Sequence, residues 1–318
     1  MNKPHNLFDQ QSLVFTNPTV KEIIHEFEHT FNTQLSATRK NIIQKIHNVY
    51  KDSMKLRLSG DDGTQHSQTN IRLEILPDKD NYFINKIQQN YRHFDFRKIR
   101  ILNDFITSTV EYESHIKETE LYPNYKLLKE SAQEQVKLFD LKKIIKELFT
   151  DLILNQTNED GINDVLGSYF ITTQKIEIYY VPVMLFAILH NLSYSSLFTV
   201  VLAHEYAHAY HFAGSDADGN GGHSLWAADR ACIESMAQFY TEDFCIKSDI
   251  SLLGTHNAYK TLLDNQPEDY RHHIEWRKKY TKENLRLGLL GLRNRRISGI
   301  TELVFFLDKL KKENESGH

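Results

Sequence analysis

Proline and glycine are scarce in this chain: 6 and 13 of 318 residues. Sandwiches and barrels need turn residues at regular intervals, so so few breakers argue against an all-β fold. Only two cysteines are present, which excludes a disulfide framework and a metal site built from thiolates alone. A reducing, cytoplasmic setting is expected. The first fifteen residues lack the basic-then-apolar order of a secretory signal. The most apolar stretch, Val181 to Ala203, is broken by Pro182, His190, Asn191, Ser193, Ser195 and Ser196. A membrane span needs about 20 mostly apolar residues, so the expectation is buried core and no membrane partner.

What is plentiful points to helices. Hydrophobic residues make up 40% and charged residues 25%, a globular balance rich in good helix formers. Apolar residues recur at helical spacing in 18–54, 96–117 and 127–154, around a break at Tyr122-Pro123-Asn124-Tyr125. Ile71, Leu73 and Ile75 alternate with charges and predict a short strand. The β-branched and aromatic run Tyr169 to Tyr180 predicts one or two more. Helices are expected over 197–212 and 225–245, joined by a Gly/Asp/Asn loop, and through the last third. The expected fold is therefore α+β and predominantly helical. A helical N-terminal region, 1–122, is expected before a second domain, 123–318.

Net charge is −4, unevenly spread. From Arg271 onward there are 12 Lys/Arg and 6 Asp/Glu, or +6, which leaves −10 for the rest. The cluster Arg293, Arg295, Arg296 is read as a solvated face complementing a helix C-terminus rather than a nucleic-acid surface.

Histidine is abundant, 16 residues, and the pattern H-E-x-x-H occurs twice, at His25–His29 and at His204–His208. On a helix, residues i and i+4 share a face, so two imidazoles can hold one Zn²⁺ beside a glutamate that handles a water proton. This composition gives about 0.05 chance matches in such a chain. The first copy carries an extra acid, Glu28, and sits among Lys21, Glu22, Arg39 and Lys40, which suits a solvated face. The second follows Phe198-Thr199-Val200-Val201-Leu202-Ala203, the profile of a buried helix carrying a polar site.

A catalytic zinc takes three protein ligands and a water. Glu234, 26 residues after His208, is a lone acid on a face shared with Ala227, Ala231 and Gln238. The competing reading is a helical ion pair with Arg230. Asp216 and Asp218 remain alternative ligands. Asp216 to Gly221 also copies the opening of a calcium loop, but position twelve is Ala227 where a bidentate glutamate belongs. For a second oxyanion donor the candidates are Tyr270 first and His273 second, with Tyr259, His272 and His223 behind. Cys232 and Cys245 are expected to be buried thiols.

The segment from about Tyr169 to Tyr240 resembles the gluzincin branch of the zincin metallopeptidases, in its minimal soluble form. The resemblance implies one Zn²⁺ held by His204, His208 and Glu234, with Glu205 as general base. It also implies an edge strand at Lys175–Tyr180 that pairs with an extended peptide or protein substrate. Gln238 departs from relatives that place an aspartate one turn after the ligand. The activity implied is zinc-dependent peptide-bond hydrolysis. The rivals are a regulatory protease that cuts one partner, and a non-enzymatic helical interaction protein.

Overall fold

The computed structural model describes residues 38–58, 71–79, 81–90, 122–138, 165–217, 225–249, 254–294 and 296–316, with isolated positions between them. The helix expected at 96–117 (save Lys117), residues 59–70 and most of the first 37 residues lie outside the described residues. What is described is mostly helical with one small sheet, as the scarcity of breakers predicts.

The chain order is α1 (Arg39–Met54), β1 (Arg72–Leu76), α2 (Tyr82–Asn90), α3 (Tyr122–Leu138), β2 (Gly167–Phe170) and β3 (Lys175–Tyr179). Then follow α4 (Tyr180–His190), α5 (Tyr194–Ala213), α6 (Arg230–Ser248), α7 (Thr255–Asp264), α8 (His272–Lys279), α9 (Lys282–Arg293) and α10 (Ile300–Ser316). The Tyr-Pro-Asn-Tyr break is the start of α3, where proline costs little because first-turn N–H groups have no helical partner.

The apolar stretch at 181–203 resolves into two helices. Asn191 adopts a left-handed conformation, φ 53°, and ends α4. Ser193 then caps α5 by accepting from the Ser196 amide at 3.4 Å. Because α5 is apolar on nearly every side, it is buried along its length. It packs on α4, α6 and α7 and against β2 and β3. None of the described helices is long and apolar enough to cross a membrane.

The sheet order is β1-β3-β2, with β1 parallel and β2 antiparallel to β3. This corrects one expectation. The strand at Lys175–Tyr179 is central, not an edge, because Arg72–Leu76 pairs along its other side. Both partners are short alternating segments, and sequence alternation does not say which of three strands lies in the middle. The edge beside α5 is β2. It reaches the helix through Gly167, where a Cβ would stand 2.9 Å from Val201 Cγ1.

A boundary was expected at residue 122. The chain before it supplies β1 to the sheet. It also supplies α1, which packs on α5 and α6. Tyr50 donates to the Ala203 carbonyl at 2.8 Å, and His47 Nδ1 lies 2.9 Å from Tyr210 Oη.

Candidate metal centre

Two buried helices bring three donors to one point. His204 and His208 share a face of α5, and their Nε2 atoms lie 3.1 Å apart. Glu234 on α6 places Oε2 at 3.3 Å from His204 Nε2 and 3.2 Å from His208 Nε2. The expected competitor is present but longer, with Arg230 Nε at 3.9 Å from Glu234 Oε1. Ala227 falls in a short 3₁₀ turn before α6 and does not share the helix face assigned to it.

The triangle of 3.1, 3.2 and 3.3 Å has the shape of a ligand set. A four-coordinate ion with bonds of about 2.0 Å presents faces with edges of about 3.3 Å. Protons alone serve this arrangement poorly. Two imidazole edges face each other and the same carboxylate oxygen, and that buried Oε2 has no other hydrogen-bond partner among the described residues. A cation satisfies all three donors together. Among the described residues, this is the one group of three or more His, Cys, Asp or Glu side chains that could hold a metal ion.

The electrostatics point the same way. Burial, followed by the neighbouring His208, lowers the His204 pKa despite Glu234, which favours the neutral imidazole a metal requires. Burial raises the Glu234 pKa, but His208 and His204 together outweigh it and hold the group below the usual carboxylate range.

Glu205 follows His204 directly and is buried. It borders two cavities, one of about 450 Å³ and one of about 250 Å³, which also share His204. Tyr270 is brought to the cluster as well. Its ring centroid is 6.0 Å from that of His204. Its hydroxyl is buried, with Arg230 and Glu234 as its polar neighbours. Burial, then the Glu234 charge, raises its pKa well above the ordinary phenol value, so the group is a protonated donor.

His273 is not brought to the cluster as a donor. Its Nε2 lies 2.7 Å from Tyr259 Oη and its Nδ1 2.8 Å from the Tyr270 carbonyl. With both nitrogens engaged, it holds the backbone of Tyr270. Ser235 helps by donating to the Asp269 carbonyl at 2.6 Å. His272 stacks on Trp276. His223 and Asp218 lie outside the described residues.

Gln238 does not orient a histidine; its amide donates to Gln266 Oε1 at 2.9 Å. His204 Nδ1 has no hydrogen-bond partner among the described residues. The other H-E-x-x-H copy behaves as a surface pair. His25 has a side chain 80% exposed, with Nδ1 3.9 Å from Glu28. Cys232 and Cys245 are buried free thiols.

Arg293, expected in a solvated basic cluster, is only 2% exposed. Its guanidinium donates to the carbonyls of Tyr210 (3.2 Å), His211 and Gly214 (2.5 Å), closing the C-terminal turn of α5. It does complement a helix C-terminus, as expected, but from inside the protein. Gly222 makes room for it, since a Cβ there would stand 2.6 Å from Arg293 Nη1 and 1.9 Å from the His211 carbonyl oxygen. Arg293→Ala leaves these buried carbonyls without donors, at an expected cost of about 2–4 kcal/mol. Urea unfolding checks this; an unchanged midpoint would show that the capping is energetically idle. No protein-family model, curated protein or solved structure matches the chain.

Proposed function

We propose that this protein is a zinc-dependent peptidase, with a zincin-like core around α5 and α6. The observation that carries this reading is the donor triangle of His204, His208 and Glu234, with Glu205 at the junction of two cavities beside it. The set of two imidazoles and one carboxylate is a catalytic zinc set, three protein ligands with a fourth position left for water. Bound there, zinc supplies Lewis acidity, polarising a scissile carbonyl and making a water more acidic.

The remaining work falls to the chain's own side chains. Glu205 takes the water proton on its carboxylate and passes it to the leaving amine. Tyr270 Oη, kept protonated, donates a hydrogen bond to the oxygen that gains charge. Tyr259, His273 and Ser235 position the Tyr270 turn, as above. The substrate strand lies along β2. The Tyr179 amide donates to the Leu166 carbonyl, so in the antiparallel alternation Ser168 and Phe170 face β3. The backbone groups of Gly167 and Tyr169 then point away from β3, on the side where β2 borders the smaller cavity. Pairing with an extended peptide uses those groups.

Metal analysis of the purified protein is expected to give one zinc per chain. A chelator should remove hydrolysis of a mixed peptide pool, and added zinc should restore it. Protein that is fully active with no transition metal bound would overturn the reading.

A further inference from the structure

Arg230 is the first residue of α6, one helical turn before Glu234. Helix energetics do not explain an arginine there. A cation in the first turn opposes the helix dipole. A basic residue placed N-terminal to an acid at i, i+4 is also the weaker of the two orders. The pair is long, with Arg230 Nε 3.9 Å from Glu234 Oε1, and the arginine side chain is 39% exposed, so as an ion pair it stabilises little. What the guanidinium has instead is position. Glu234 turns Oε2 to both imidazoles, at 3.3 and 3.2 Å, and Oε1 to Arg230. The buried Tyr270 hydroxyl has Arg230 and Glu234 as its polar neighbours. The short turn Glu268–Tyr270 packs on α6, and Ser235 ties it there through the Asp269 carbonyl. One cation thus stands beside the second oxygen of a candidate metal ligand and beside the candidate oxyanion donor. Arg230 borders neither cavity, so it acts through these neighbours.

We infer that Arg230 is a positioning residue: its guanidinium limits Glu234 to one metal-binding oxygen and fixes the direction in which Tyr270 donates. This rests on the ligand set and the peptidase reading. A carboxylate can give a metal one oxygen or two. With Oε1 drawn to the guanidinium by charge, Oε2 alone faces the imidazoles, and the three-donor set keeps its fourth position for water. A second oxygen from Glu234 would crowd that position. At Tyr270 the effect is directional. A guanidinium only donates, so it engages a lone pair of the phenol oxygen and leaves the O–H proton for an acceptor. Its charge also polarises that O–H, which strengthens the bond given to an oxygen that gains charge. Both effects explain a cation at a helix end where the dipole disfavours one.

The test compares two variants of the full chain: Arg230→Met, which removes the charge and keeps the bulk, and Arg230→Lys, which restores the charge. The first readout is optical and needs no turnover. Cobalt(II) takes the place of zinc, and its visible bands are several-fold more intense in a four-coordinate site than in one of higher coordination. Arg230→Met is expected to weaken the bands, as Glu234 Oε1 also binds, and Arg230→Lys to recover them in part. The second readout is kinetic. In the zinc-loaded protein, kcat of Arg230→Met should fall about 10–100-fold, the usual effect of losing an outer partner of a ligand, with KM nearly unchanged. In a Tyr270→Phe background the same substitution should cost less, because one of the two groups it positions is gone. Parent-like bands and kcat in Arg230→Met overturn the inference. So does a lysine variant that matches the methionine variant in both readouts. A loss confined to KM assigns Arg230 to substrate binding and overturns positioning. Equal losses with and without the Tyr270 hydroxyl overturn the Tyr270 half. Zinc-loaded parent that cuts no peptide overturns the peptidase reading, while the cobalt bands still decide whether Arg230 holds Glu234.

Discussion

Glu205→Gln is expected to keep its metal and lose hydrolysis by about 10²–10⁴-fold. The amide is nearly isosteric with the carboxylate, so packing around the buried position changes little. What changes is proton affinity: an amide oxygen does not take a proton from water at neutral pH, whereas a carboxylate does. Glu205 is not one of the three donors that converge on the metal point, so metal content should match the parent. The comparison needs zinc stoichiometry and turnover on the same preparations. Undiminished hydrolysis by the glutamine variant would sink the general-base assignment, and loss of zinc would show that Glu205 acts as a ligand instead.

Glu234→Ala carries the second large effect. Removing it leaves two imidazoles of the triangle, and the loss in zinc affinity should exceed the roughly 10–100-fold typical of losing a ligand's hydrogen-bond partner. His204→Ala and His208→Ala should behave alike. The controls come from the competing readings. Asp216→Ala, Asp218→Ala, His25→Ala and His29→Ala should retain zinc as the parent does. Asp216 stands outside the donor cluster, just beyond the end of α5. His25 is largely exposed beside Glu28. A ligand on a packed helix is positioned before the metal arrives, while one in a loop must be ordered by it. Thermal unfolding belongs beside the metal assay, because removing a ligand also changes a buried charge. If Glu234→Ala holds zinc normally and an aspartate variant does not, the ligand set is wrong.

Much of this was legible in the sequence because its causes are local. Few breakers and helical periodicity are properties of short windows, and the helices from residue 194 onward follow them. The preference for His204-x-x-x-His208 over His25-x-x-x-His29 as the candidate pair needs only the contrast between an apolar and a charged neighbourhood. Glu234 was legible as a lone acid in a largely apolar stretch of helix. The convergence of these three side chains is a tertiary fact that agrees with that reading.

Other features depend on which distant segments meet, and no window of sequence carries that. Lys175–Tyr179 has the alternation of an edge strand, but its place in the sheet depends on Arg72–Leu76, about a hundred residues earlier. Arg293 belongs by composition to a basic surface cluster. Only the approach of α9 to the end of α5 gives it carbonyls to satisfy, and so permits its burial. Tyr270 and His273, three residues apart, were ranked first and second as candidate donors. The fold separates them, engaging both nitrogens of His273 with Tyr259 and the backbone and leaving the Tyr270 hydroxyl beside the cluster. The residues thus determined which groups can do chemistry. The tertiary structure decided which are held toward one point and which are consumed in holding them, because a buried polar group must find its partner wherever the packed chain supplies one.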